Sequence, residues 1–221
     1  MIPSHELTDR ERLRKRIRGL YAVTPDDLDE ADLLARCGAV LEAGARVLQY
    51  RDKSVSDTVR RQRATALRAL TRSHRALLII NDDAALAAEI GADGVHLGRD
   101  DAAPADVLAR HPQLLVGVSC YDDLDRACLA CASGADYLAF GAVAASPTKP
   151  QAVRAPLGLF EDAQALELPL VAIGGITLDN ALEIANAGAH ALAVITALFD
   201  SPNPAAQARA FISRIKERNP S

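Results

Sequence analysis

Gln49, Arg51 and Lys53 recur at every second position of a short stretch, Leu48-Gln49-Tyr50-Arg51-Asp52-Lys53, which closes an apolar run. Period two places all three on one face of a strand, provided the extended geometry reaches Lys53. An amide and two cations converging at a strand's carboxyl end make a seat for a phosphorylated ligand, because guanidinium and ammonium groups both bind phosphate oxygens. A solvated strand end carrying ordinary surface charge is the competing reading, and on this stretch alone it is the better one; the residues that follow reverse that order.

Other strand ends supply further chemistry. Asn81-Asp82-Asp83 follows the apolar run at 76–80, and Asp100-Asp101 follows Val95-His96-Leu97-Gly98-Arg99. Mg²⁺ prefers one or two carboxylates completed by substrate oxygens, so Asp82 and Asp101 suffice to bridge to a polyphosphate. Asp83 equally suits a helix cap. Ser119 offers its hydroxyl either to a phosphate or to the turn before the next helix. Ser146, Thr148 and Lys149 lie in one loop stiffened by Pro147 and Pro150. They could wrap a diphosphate, although such residues are also what loops ordinarily contain. Gly174-Gly175 and Ile195-Thr196 each end a strand where a helix opens, an arrangement whose free amides suit a phosphate. A tight turn would account for one of the two glycines. His96, alone in a strand, reads as a packed histidine and a wall of the pocket.

Something must hold these strand ends on one rim. Apolar runs predict strands at 19–24, 47–50, 76–80, 94–97, 114–118, 137–140, 170–173 and 191–195. Helical periodicity falls between them at 28–42, 56–73, 84–90, 104–110, 124–133, 157–165 and 178–187, with a last helix at 204–218. A Gly-Ala step (Gly44-Ala45, Gly91-Ala92, Gly134-Ala135, Gly188-Ala189) stops a helix and leads into the next strand four times. Eight βα units without a linker predict a single α/β domain, a (β/α)8 TIM barrel over 19–221, preceded by a polar, charged extension at 1–18 that reads as helical or frayed. A doubly wound sheet fits less well, because no G-x-G-x-x-G follows the first strand. In a barrel the chemistry belongs at the carboxyl ends of the strands.

The chain has 221 residues, 49% of them hydrophobic, and a net charge of −4. That size and composition support one large core. The negative charge argues against a nucleic-acid surface. No apolar run is long enough to span a bilayer, and the opening residues have no signal-peptide core, so the expected location is cytoplasmic. Cys37, Cys120, Cys128 and Cys131 do not form a disulfide framework. Cys128-x-x-Cys131 lacks a second pair or nearby histidines, and both cysteines read as small buried residues of a helix.

Taken in order, Gln49-Tyr50-Arg51-Asp52-Lys53, Ile80-Asn81-Asp82, Gly94-Val95-His96-Leu97-Gly98, Asp101, Gly117-Val118-Ser119, Ser146-Pro147-Thr148-Lys149, Gly174-Gly175-Ile176 and Ile195-Thr196 closely resemble the thiamine phosphate synthase family. The likeness runs from about residue 19 to 199. It implies a barrel enzyme that transfers a pyrimidinylmethyl group from hydroxymethylpyrimidine diphosphate to hydroxyethylthiazole phosphate, giving thiamine phosphate and diphosphate. By that resemblance Gln49, Arg51, Lys53, Asn81, Ser119 and Lys149 face the pyrimidine diphosphate, and Asp82 and Asp101 hold Mg²⁺. Gly175, Ile195 and Thr196 would seat the thiazole phosphate, with Ser146 and Thr148 lining the same mouth. The partners implied are small phosphorylated molecules, and a homo-oligomer is compatible with the reading.

The chain departs from the family at Arg99, where Gln is frequent, and at Thr196, where Ser is usual. It departs again at Ala144-Ala145, where an aromatic residue and proline are common, and at Gly141-Ala142-Val143, which lacks a usual proline. A thiazole tautomerase-like paralogue would share the thiazole phosphate site but have no use for Arg51, Lys53, Asp82, Asp101 and Lys149. A non-catalytic thiazole-phosphate-binding barrel would have little reason to keep both carboxylates.

Overall fold

A computed structural model describes residues 8–145 and 153–218. Eight parallel strands pair in sequence order and close on themselves, β8 against β1. They are β1 (Gly19–Val23), β2 (Val47–Tyr50), β3 (Leu77–Asn81), β4 (Gly94–Leu97), β5 (Leu115–Tyr121), β6 (Tyr137–Phe140), β7 (Leu170–Ile173) and β8 (Ala191–Val194). The helices are α1 (Asp9–Arg14), α2 (Glu30–Glu42), α3 (Asp57–Ser73), α4 (Ala84–Glu89), α5 (Pro104–Arg110), α6 (Leu124–Ala132), α7 (Gly158–Asp162), α8 (Ala181–Asn186), α9 (Thr196–Phe199) and α10 (Pro204–Lys216). The expected (β/α)8 barrel is therefore observed. None of the helices described is long and apolar enough to cross a membrane.

Alternation along the strands divides the apolar side chains into two layers. Leu20, Ala22, Leu48, Leu78, Ile80, Val95 and Leu138 pack outward against Leu33, Cys37, Leu67 and Phe160 of the helices. Tyr21, Val47, Leu77, Ile79, Leu115, Tyr137 and Val171 fill the barrel interior, and Leu13 and Ile17 of the opening segment close it from below. Arg10 of α1 locks that plug in place. Its guanidinium donates to both oxygens of the buried Asp136 at 2.8–3.0 Å, and Asp136 also accepts the Val116 amide at 2.7 Å.

Several boundaries differ from those read in the sequence. β5 runs to Tyr121 rather than stopping at Val118, because a register shift between Ser119 and Tyr121 lets pairing with β6 continue. The helix expected at 157–165 splits into α7 and a 3-10 turn, Ala163–Leu166. α8 starts at Ala181, because the Asn180 side chain accepts the Thr177 amide and turns the chain first. The Gly44 and Gly134 helix stops hold φ of +116° and +92°, conformations that suit residues without a Cβ.

The interior is filled to contact. A Cβ on Gly117 would lie 1.9 Å from the Tyr137 ring. Gly117→Ala is expected to destabilise the fold by about 1–3 kcal/mol or more, since a close-packed interior yields only by shifting a ring or a strand. Urea denaturation would measure it, and an unchanged midpoint would contradict the packing described.

Candidate active site

The cationic cluster begins at β2, where regular pairing ends at Tyr50. The alternation that would have carried Gln49, Arg51 and Lys53 on one face therefore stops after Gln49. Thr24, following β1, takes over: its hydroxyl donates to the Arg51 carbonyl at 2.8 Å and accepts the Arg51 amide at 2.9 Å. Arg51 then turns its guanidinium onto Asp26, whose other oxygen accepts the Lys53 amide at 3.0 Å. Lys53 reaches across to β3, its Nζ 3.0 Å from Asp82 Oδ2. Gln49 is 3% exposed, and its Nε2 has no hydrogen-bond partner among the described residues. A buried amide left in that state is costly unless a ligand or an ordered water completes it.

Asp82 has φ of +63°, a region that Asp tolerates better than most residues. Its amide donates to the His96 carbonyl at 2.8 Å. Asp101 accepts the Gly98 amide at 2.6 Å. Partial burial raises the Asp101 carboxyl above the usual carboxylate range. The Gly98 amide opposes that shift, and the facing Asp82 carboxylate, within hydrogen-bonding reach, adds to it. Two carboxylates pressed together favour a bound cation. Among the described residues no group of three or more His, Cys, Asp or Glu could hold a metal. The two carboxylates of Asp82 and Asp101 are the residues here that could hold a hard ion taking its remaining ligands from substrate oxygens and water, the ligand set Mg²⁺ prefers. Asp83 is a cap: it accepts the Leu86 amide at the start of α4. A pocket of about 330 Å³ opens beside Asp82, lined by Tyr50, Lys53, Arg60 and Asn81 among others.

Ser119 is not the cap of the next helix; Asp123 has that role for α6. The Ser119 hydroxyl instead lies 2.8 Å from His96 Nε2. Arg126, on α6, fixes the backbone around it, donating to the Ser119 carbonyl at 2.7 Å and to the Gly98 carbonyl at 2.8 Å. One guanidinium thus ties the serine strand to the loop that carries Asp101. Arg99 is exposed and stacks on Tyr121, 4.6 Å from the ring centre.

Burial lowers His96 from 6.5 to about 4, a shift that the nearby Asp82 carboxylate opposes. Between those values the unfolded chain binds a proton that the folded one refuses, so stability is present above 6.5 and is lost as pH falls towards 4. Acidification across that window is expected to cost up to about 3 kcal/mol, by linkage at about 1.4 kcal/mol per unit. Urea unfolding near neutrality and at about pH 4.5 would measure it. His96→Gln should flatten the dependence, and an equal slope in both proteins would contradict this origin.

On the far arc of the rim, Gly175 passes so close to the preceding loop that a Cβ would meet the Ala144 and Ala145 carbonyl oxygens at 2.5 Å. Its carbonyl accepts the Asn180 side-chain amide at 2.9 Å. Ile195 precedes α9, and no side chain caps the first turn that begins at Thr196. β2 to β5 and β7 to β8 thus present two clusters at the carboxyl end of one closed barrel. Ser146, Thr148 and Lys149 lie outside the described residues. The cysteine pair corrects an expectation: Cys128 is exposed and Cys131 half-buried, because α6 turns Ala127 and Ala130 inward instead.

Sequence reasoning missed Asp26, Arg126, Tyr21 and Tyr137. Asp26 follows a strand end, as the acids recognised elsewhere do, and that position was its signal. Arg126 sits on a helix and the tyrosines lie inside strands, where nothing in the local pattern distinguishes them.

A family model described as thiamine monophosphate synthase matches residues 20–198. The thiamine-phosphate synthase of Thioalkalivibrio sulfidiphilus is 54% identical over 198 residues, covering 88% of this chain and 94% of that protein. That of Chromobacterium violaceum is 54% identical over 199 residues, covering 88% and 95%. Among solved structures, thiamine phosphate pyrophosphorylase from Pyrococcus furiosus superposes with a TM-score of 0.82 at 31% identity, covering 93% of this chain and 98% of that one. The 3-hexulose-6-phosphate synthase of Salmonella typhimurium, with a TM-score of 0.68 at 19% identity, shares the fold.

Proposed function

The chain belongs to the thiamine monophosphate synthase family and is an enzyme of the alkyl-transferase class; on that premise we propose that its rim couples hydroxymethylpyrimidine diphosphate to hydroxyethylthiazole phosphate. The observation that carries this reading is the convergence of Lys53, Asp82 and Asp101, with the buried Gln49 Nε2 lacking a hydrogen-bond partner among the described residues. An isomerase or simple binder of the thiazole phosphate has no use for that set.

Asp82 and Asp101 would hold Mg²⁺, which when bound neutralises charge on the diphosphate. Lys53 and Arg51 exchange their carboxylate partners, Asp82 and Asp26, for diphosphate oxygens. Ser119 donates to the same anion, and Gln49 and Asn81 fix the pyrimidine diphosphate. By the family resemblance Lys149 joins them on the pyrimidine diphosphate, while Ser146 and Thr148 line the mouth beside the thiazole phosphate. The methylene C–O bond breaks with its electron pair going to diphosphate, leaving a pyrimidine-stabilised carbocation. The thiazole nitrogen supplies the pair for the new C–N bond, and its phosphate rests on Gly175 and the amides at Ile195 and Thr196. No proton changes hands, so the residues need only position the reactants, stabilise the leaving charge and keep water from the cation. Two phosphorylated substrates suit a cytoplasmic enzyme.

Incubation with both precursors and Mg²⁺ tests the reading. Thiamine phosphate and diphosphate in equal amounts are expected. Turnover of a thiazole tautomer without coupling would overturn it.

A further inference from the structure

A buried line of side chains runs from the barrel interior to its mouth. The Tyr21 and Tyr137 hydroxyls are 2.9 Å apart, the Tyr137 hydroxyl is 3.2 Å from His96 Nδ1, and His96 Nε2 is 2.8 Å from the Ser119 hydroxyl. Tyr21 and Tyr137 are 2% and 0% exposed. The Tyr137 ring lies between its neighbours, its centre 5.6 Å from that of His96 and 6.1 Å from that of Tyr21.

Such a line can be ordered in two directions. Pointing inward, Ser119 donates to Nε2, Nδ1–H donates to Tyr137, and Tyr137 donates to Tyr21. The Tyr21 proton then has no acceptor among the described residues, a cost that a fully buried hydroxyl cannot recover from water. A doubly protonated imidazole meets the same dead end. Pointing outward, Tyr21 donates to Tyr137, Tyr137 donates to Nδ1, and Nε2–H donates to Ser119. Every buried donor is then matched, and the Ser119 proton is left to face the mouth.

Building on the proposed function, we infer that Tyr21, Tyr137 and His96 are positioning residues that fix the direction of this line and keep the Ser119 proton free for donation towards the mouth. A ligand oxygen there can accept it, as diphosphate oxygens do, whereas the opposite direction would spend that proton on His96. Nothing in the strand sequences reveals this, because the direction is set by the dead end at Tyr21, three strands away around the ring from His96.

Nitrogen NMR of the ligand-free, histidine-labelled protein tests the direction without any assay of activity. The expected His96 tautomer carries its proton on Nε2, with Nδ1 bare. A proton on Nδ1 would overturn the inference and leave the synthase reading untouched. Failure to couple the two precursors would strike that reading alone. The consequence is tested by a cycle: Tyr137→Phe should lower kcat about tenfold, the size of one misdirected bond to a charged group, with little change in KM. In a Ser119→Ala background the same substitution should lower kcat no further. A loss of equal size in both backgrounds would mean that Tyr137 acts only on the packing.

Discussion

Asp82→Asn and Asp101→Asn are each expected to lower kcat/KM in Mg²⁺ by about a thousandfold, the loss of several kcal/mol of charge stabilisation at the leaving diphosphate. The fold should survive both. The Asp82 side chain is 34% exposed and lies outside the core. Its left-handed backbone suits Asn as well as Asp. At position 101 the amide oxygen of Asn can still accept the Gly98 amide, which is the contact that shapes the loop. Steady-state kinetics with a thermal melt would check this, and near-normal rates with Mg²⁺ in both variants would remove the metal assignment.

Arg63→Met is expected to be the most damaging change to stability near the site. Asp52 and Arg63 form an ion pair at 2.8 Å with side chains 2% and 10% exposed. Asp52 also accepts the Ser54 amide and hydroxyl at 3.0 and 2.8 Å. Removing the cation strands a buried carboxylate, which costs about 3–5 kcal/mol and, for a domain of this size, roughly 10 °C in Tm. Replacing both partners, as in Asp52→Leu with Arg63→Met, should recover much of the loss, because an apolar pair needs no counter-charge. Asp52 sits between Arg51 and Lys53, so the single variant should also lose activity as the turn that aims Lys53 loosens. A melt of the three proteins decides it, and a single variant as stable as the parent would show that the pair does not bear on the fold.

The barrel was legible because each strand is buried on both sides and therefore reads as a short apolar run, and because Gly stops the intervening helices. The rim was legible for a related reason: a polar residue at the end of such a run or within a few residues after it has few places to be except near the strand's end, which is how Gln49, Asp82, Asp101 and Ser119 were found. The alternation that linked Arg51 and Lys53 to Gln49 was not legible. It breaks where Thr24 captures the Arg51 backbone, a contact between chain segments 27 residues apart. Asp26 and Arg126 hold functional groups through such long-range contacts, which have no period along the chain. The hydrogen-bonded line behind Ser119 is more distant still, since Tyr21, His96 and Tyr137 meet only once the barrel closes. The Cys128-x-x-Cys131 pair fell on the wrong face for a related reason: a one-residue offset of a short alanine-rich helix exchanges its buried and exposed sides.

The most direct measurement is the position of the metal. Crystals grown with inorganic diphosphate and Mn²⁺ in place of Mg²⁺ would give an anomalous signal at the ion. The site described here predicts one peak within ligand distance of both Asp82 and Asp101, about 2.0–2.3 Å, with diphosphate oxygens completing its shell and Lys53 released from Asp82. Diphosphate bound on Arg51 and Lys53 with the peak elsewhere, or with Lys53 still on Asp82, would contradict it.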